Sequence, residues 1–165
     1  MVKIKYIVIA AVVILGIVAV RHFLQTEEKK VRKQFELLSE WVSKGPGESV
    51  LTTSYKIQHI ATLFVKPCVF KADIIAFTGS YTPEEIAGFA GRSRFYLADL
   101  SLKFYDLNIE FPEQAMAQVT LTAKLIGKTK SGEYIDATHE LKTLLTNPEG
   151  TWLFSHVEVV EVLQK

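Results

Sequence analysis

The sequence predicts an α+β protein: three helices packed on a strongly curved, mostly antiparallel sheet, after an N-terminal transmembrane helix. Three observations predict it. Tyr6 to Val20 runs without a charge. Apolar residues then recur at helical spacing as far as Leu97. From Leu100 the period changes to two and stays there through four segments separated by turn residues.

The first segment reads as a membrane anchor. A helix crossing the hydrocarbon core takes about 20 residues, with about 17 at the short end. Ile4 to Leu24 meets this when Lys5 and Arg21 extend to the interfaces. The run closes Gly16-Ile17-Val18-Ala19-Val20-Arg21, without the small-residue pattern of a cleaved signal. The expectation is therefore an uncleaved anchor over residues 1–24 and a domain over 25–165. Lys3 and Lys5 flank one end; Arg21, Lys29, Lys30, Arg32 and Lys33 flank the other, interleaved with Glu27 and Glu28. The very short N-terminal tail favours a single-pass protein of the inner (cell) membrane with its domain on the periplasmic, extracytoplasmic side.

Composition narrows the classes further. Residues 1–24 hold three of the 19 basic residues and none of the 18 acidic ones, so the remainder carries a formal charge of −2. That is no nucleic-acid surface, which needs a basic excess or stripe. Cys68 is the single cysteine, which excludes an intramolecular disulfide and a cysteine-based zinc site. The histidines at 22, 59, 139 and 156 show no paired spacing, so no metal is expected, and no glycine-rich phosphate loop implies a cofactor.

Element by element, Thr26 is placed to cap a helix that opens on Glu27 and Glu28. Val31, Phe35, Leu38 and Val42 form its inner stripe, and Gly45-Pro46-Gly47 stops it. A second helix carries Val50, Ile57, Ala61 and Phe64 on one side and ends at Pro67. Short strands are expected at Cys68–Asp73, with Cys68, Phe70 and Ala72 inward, and at 74–78 before a turn at Gly79-Ser80. Thr82-Pro83-Glu84-Glu85 combines an N-cap, a proline at the first helical position and a capping-box glutamate. Ile86, Phe89, Ala90, Ser93 and Leu97 give the third helix its inner face. Tyr105, Leu107, Ile109 and Phe111 then alternate up to a turn at Pro112-Glu113. Ala115 to Leu125 is a long strand, Lys130-Ser131-Gly132 a hairpin turn, and Ile135 to Leu145 the next strand, with His139 on its apolar parity. Asn147 to Gly150 makes the last turn, and Trp152 to Leu163 the last strand.

This order resembles the NTF2-like superfamily, the ketosteroid-isomerase and SnoaL-like α+β cone also called cystatin-like. The residues that carry the resemblance are Thr82-Pro83-Glu84-Glu85-Ile86 and Gly150-Thr151-Trp152-x-Phe154-x-x-Val157-x-Val159, and it covers nearly all of 27–163. It implies a curved sheet wrapped over the helices with a pocket at the wide end. The superfamily includes isomerases, dehydratases and epoxide hydrolases, and also non-catalytic binding and assembly modules, so fold alone does not assign function.

His139 is the first candidate for chemistry, since an inward neutral imidazole could act as a base in a dry pocket. The plainer reading is a hydrogen-bonded core histidine. His59 and Tyr96 are further pocket candidates; His59 sits one turn from Tyr55, on the flank of its helix. The isomerase branch implies an acid on the strand after the second helix, and this chain has Lys71 there, with Asp73 read as a surface acid. Arg92 and Arg94 read as solvated charges. His156 and Glu158 share a face unless a bulge intervenes. The last strand is apolar on both parities, Trp152, Phe154, Val160 and Val162 against Leu153, Val157 and Val159. That predicts an apolar patch on the outer sheet face and a homodimer through it. Taken together these features predict a non-catalytic binding or assembly module of the cell envelope, held to the lipid bilayer and open to a protein partner. The alternative is a small-molecule pocket enzyme using His139.

Overall fold

The computed structural model describes residues 2–72 and 78–162, setting aside the side chains of 2–8, 10, 11, 161 and 162. Its first element is one continuous helix, α1 (Val2–Val42, 41 residues). No break separates an anchor from the domain at 24–26. Thr26 is inside the helix, where its hydroxyl donates to the His22 carbonyl 2.9 Å away. Nothing between Val20 and Glu27 disfavours helix, so the threonine bonds back to the preceding turn instead of starting a new one. Among the described residues, no helix is long and apolar enough to cross a membrane. The described side chains of Val12–Val20 are exposed, Leu15 at 68%, while Val31 and Phe35, further along the same helix, are buried.

After Gly47, at φ 76, α2 (Val50–Ala61) begins on a Ser49 cap that accepts from the Thr52 amide. It ends at Ala61, six residues before the expected stop at Pro67, and Phe64 already belongs to a strand. Val50, expected to face inward, is exposed. Strand β1 (Phe64–Lys71) contains Pro67, and its ladder to β6 (Leu153–Val162) shifts register between Phe64 and Val69. A residue without an N–H is accommodated in such a gap. Cys68 and Ala72 point inward as expected. β2 (Gly79–Tyr81) takes up the residues read as a turn; Asp73 and the strand expected from Ile74 lie outside the described residues. α3 (Pro83–Tyr96) starts on the expected capping box, with Thr82 and Glu85 bonding reciprocally.

The remaining strands, β3 (Leu97–Glu113), β4 (Met116–Thr129), β5 (Tyr134–Thr146) and β6, form an antiparallel meander. β1 joins β6 in parallel, giving a six-stranded sheet in the order β2-β1-β6-β5-β4-β3. Two irregularities change which residues face the helices. Asp106 adopts φ 55, and the β3–β4 register shifts between Tyr105 and Asn108. Phe104 is therefore inward before the bulge and Leu107, Ile109 and Phe111 after it, leaving Tyr105 exposed rather than inward. The following turn is at Gln114-Ala115, two residues on from the expected Pro112-Glu113, so Ala115 is not a strand residue.

In β6, register shifts bring Phe154, Val157 and Val159 opposite Leu145, Thr143 and Leu141 of β5. Ser155 and Val160 are the extra residues. Phe154, Val157 and Val159 thus share the inner face, the outer face carries His156 and Glu158 opposite Leu144 and Lys142, and Val160 is exposed. Two bulges reconcile the mixed parity, so this strand's outer face is less apolar than simple alternation predicts.

The core is centred on Phe35 of α1. Its ring meets Phe104 edge-on at 5.3 Å and Phe154 at 5.0 Å, and Phe64 packs on Phe154 at 5.4 Å. Ala117, Val119 and Leu121 of β4 and Leu145 of β5 complete the floor.

Candidate functional site

β3 is an edge strand, and edges left open invite pairing with other chains. Here α1 and the two residues that follow it, Ser43 and Lys44, lie along it and occupy some of its backbone groups. Lys44 and Leu100 exchange backbone bonds of 2.7 and 2.9 Å. Ser39 donates to the Leu102 carbonyl at 2.5 Å, and the Leu102 amide donates to Ser43 Oγ at 3.0 Å. Further up, Arg32 donates to the Leu107 carbonyl at 3.2 Å. Between the Leu102 and Leu107 ties lies an open groove of about 290 Å³. Phe35, Phe104 and Leu107 supply apolar walls; Arg32, Glu36 and Lys103 supply charge. Arg32 and Glu36 are already matched, to Glu28 at 2.8 Å and Lys33 at 3.2 Å. Lys103 has no ion-pair partner among the described residues. The groove can therefore hold a molecule with an apolar body and one negative group.

The three candidates for a pocket occupy separate places. His139 faces inward on β5, paired across the sheet with Ala123 on one side and Val162 on the other. Ala123 in turn pairs with Phe104, so one row reads Phe104, Ala123, His139, Val162. His139 Nδ1 is buried without a hydrogen-bond partner among the described residues. His59 projects from the flank of α2. Its Nδ1 lies 2.7 Å from the Tyr55 carbonyl, and its ring contacts Tyr55 at 3.8 Å and Trp41 at 5.1 Å. Tyr96 ends α3 with 69% of its surface exposed, against Phe95. No contact or shared groove joins these three among the described residues.

Arg94 is the residue the sequence reading misplaced. It is 1% exposed, not solvated. Nη1 donates to the carbonyls of Trp41, Val42 and Ser43, each at 2.8 Å, capping the C-terminal end of α1. Nη2 bonds to Glu48, which also accepts from Lys56 at 2.8 Å and Thr53 at 2.9 Å. Burial pushes the Glu48 carboxyl upward, but Lys56, Thr53 and Arg94 together hold it below its ordinary value. Ile86, Ala87 and Arg94 are the buried face of α3, whereas Ser93 is exposed. The signal was present: Ala87, Ala90, Gly91 and Arg94 follow helical spacing.

A second buried acid anchors the other end of α1's packed half. Trp152 Nε1 donates to Glu27 at 2.8 Å, and Lys30 donates to the other oxygen at 2.8 Å. The Lys30 bond lowers the Glu27 carboxyl, burial opposes it, and the Trp152 bond adds to the lowering. Cys68 is fully buried and its thiol is pushed up to about 12, so it is no nucleophile. On the outer face Lys71 meets Glu158 at 2.7 Å, with His156 4.0 Å from the same carboxylate. Among the described residues no group of three acidic, histidine or cysteine side chains could hold a metal.

No protein-family model matches the chain, and no curated protein matches it in sequence. Solved structures do. The Kfla4162 protein of Kribbella flavida superposes with a TM-score of 0.69 at 6% identity, covering 86% of this chain and 93% of that one. Hexachlorocyclohexane dehydrochlorinase LinA-type3 of Novosphingobium barchaimii gives 0.64 at 12% identity over 84% and 90%. An uncharacterised protein of cystatin-like fold from Caulobacter vibrioides gives 0.58 at 12% over 86% and 89%. The chain has the NTF2-like, cystatin-like α+β fold: a curved six-stranded sheet with three helices.

Proposed function

We propose that this chain is a non-catalytic binding module of NTF2-like fold, tethered to a bilayer by the first half of α1. One observation carries the reading: a single helix changes character midway. Its described side chains from Val12 to Leu24 are exposed and mostly apolar, and from Glu27 onward it packs into the core. Water disfavours so long an uncovered apolar surface, and lipid would cover it. The packed half then roofs the groove beside β3, where a small amphipathic anion would sit on Phe35 and Phe104 with Lys103 at its charged end. The domain would lie on the extracytoplasmic side of the cell membrane.

The test is vesicle flotation of the full chain against an Ile14→Lys, Val18→Lys variant. Co-flotation of the wild type and loss of it in the variant supports the tether. A wild-type chain that stays in the aqueous fraction sinks it. A reporter fused to the C-terminus reads the side of the membrane.

A second reading is kept by one observation, the buried unpartnered Nδ1 of His139. It would make the domain a proton-transfer enzyme, and a dehydrochlorinase shares the fold. Base-promoted elimination from small halogenated substrates that vanishes in His139→Ala would favour this reading over the first.

A further inference from the structure

A second depression lies where α1 enters the domain. It has a volume of about 540 Å³ and is lined by Lys29, Lys30 and Lys33 on the helix and by Gly150, Thr151 and Trp152 on the turn into β6. The geometry points to this cleft as a seat for the phosphate of an anionic phospholipid headgroup. The inference rests on the tether reading and deepens it by naming the lipid that the tether selects.

Charge comes first. Lys30 is committed to Glu27, and Glu27 also to Trp152, so this trio is internally neutralised. Glu28 is likewise committed to Arg32. Lys29 has no ion-pair partner among the described residues, and Lys33 meets only Glu36, at 3.2 Å, with both side chains more than half exposed. An exposed pair of that kind exchanges readily. Two cations are therefore available. Glu149, next to Gly150 on the adjoining turn, is exposed and is, with Glu27 and Glu28, one of three acids adjacent in sequence to the lining.

Position comes second. The helix is unbroken, so at 1.5 Å per residue Lys29 and Lys33 stand about 8 and 14 Å beyond Leu24, the last apolar residue of the exposed run. Headgroups occupy roughly 5–8 Å outside the hydrocarbon core, and a lysine's flexible stem spans the remaining distance. Gly150, at φ 84, adds no side chain to the wall, and the Thr151 hydroxyl and Trp152 ring complete it. A bulk field would need only charge; a concave wall opposite the lysines adds a place for the group to sit.

The full chain is reconstituted into vesicles of phosphatidylcholine alone and of phosphatidylcholine with one third phosphatidylglycerol. Amine acetylation of each lysine is followed by mass spectrometry. The expected result is acetylation of Lys29 and Lys33 slowed about fivefold in the anionic vesicles, the effect of one lysine's attraction to an anionic surface. Lys130, on the turn at the opposite end of the sheet, is expected to be unchanged. Equal labelling in both vesicles overturns the inference. So does equal protection in phosphatidylcholine vesicles with added inorganic phosphate, which would mean a site for soluble phosphate. A Lys29→Gln variant should still co-float with both vesicles while Lys33 loses part of its composition-dependent protection; unchanged protection at Lys33 also overturns the inference. Failure to co-float with either vesicle would strike the tether reading instead, and the two failures are thereby told apart.

Discussion

Arg94 joins three segments through one guanidinium: the end of α1, the loop bearing Glu48, and α3 itself. Removing one member of a buried pair costs about 3–5 kcal/mol, chiefly because the other is left uncompensated. Arg94→Met should lower the unfolding free energy by about that amount in urea titration. Arg94→Lys should recover only part, since an ammonium cannot reproduce the planar fork that serves carbonyls and a carboxylate together. Glu27 and Glu48 make a pH prediction at the same scale. Both carboxyls are held below their ordinary value of 4.5 in the folded chain. The stability they contribute is thus fully present above about 4.5 and is lost as pH falls through their lower folded values. Urea midpoints should be flat from pH 7 to 5 and fall below 4.5; Glu48→Gln should weaken the protein at pH 7 and make that acid slope shallower.

At the scale of elements, strain is concentrated at Asp106, whose left-handed backbone lets β3 change the face it offers to the core. Aspartate tolerates that region better than most residues, and a β-branched one does not. Asp106→Val should cost about 1–3 kcal/mol, while Asp106→Gly should stay close to wild type, both read by thermal unfolding. These bulges also mark the limit of what sequence discloses. The start of α3, the hairpin at Lys130–Gly132 and the inward row of β4 were legible because capping, turn chemistry and strict alternation are local rules. Tyr105 and the apolar groups of β6 were misread because a bulge breaks alternation for tertiary reasons: Phe104 and Leu107 both have helix surface to meet. The end of α2 was misread for a related reason, since pairing of Phe64 with β6 overrode the local stop at Pro67. Thr26 was misread because no helix breaker precedes it, so its hydroxyl bonds back to His22 and does not cap a new helix.

For the whole molecule, the inner face of the cone converges on Phe35, touched by rings from β3 and β6. Phe35→Ala should destabilise by about 3–5 kcal/mol and should also open the groove beside β3, so that an apolar anionic dye binds more weakly if the groove's wall matters. Fluorescence titration alongside urea unfolding separates the two effects. The fold class and the inward parity of His139 were legible in the sequence. The groove was not, because it is made by two segments about 70 positions apart, Arg32–Ser39 and Lys103–Leu107, meeting along a sheet edge.

α1 has neither glycine nor proline between Val20 and Val42, and so no joint. A globule on a loose string samples every direction; one fixed to a stiff mast does not. On a bilayer, the residues facing the groove would ride about 12–22 Å above Leu24 and keep a constant compass bearing. Whatever docks there would have to arrive close to the lipid surface and from one side, and tilting the mast would swing the whole head.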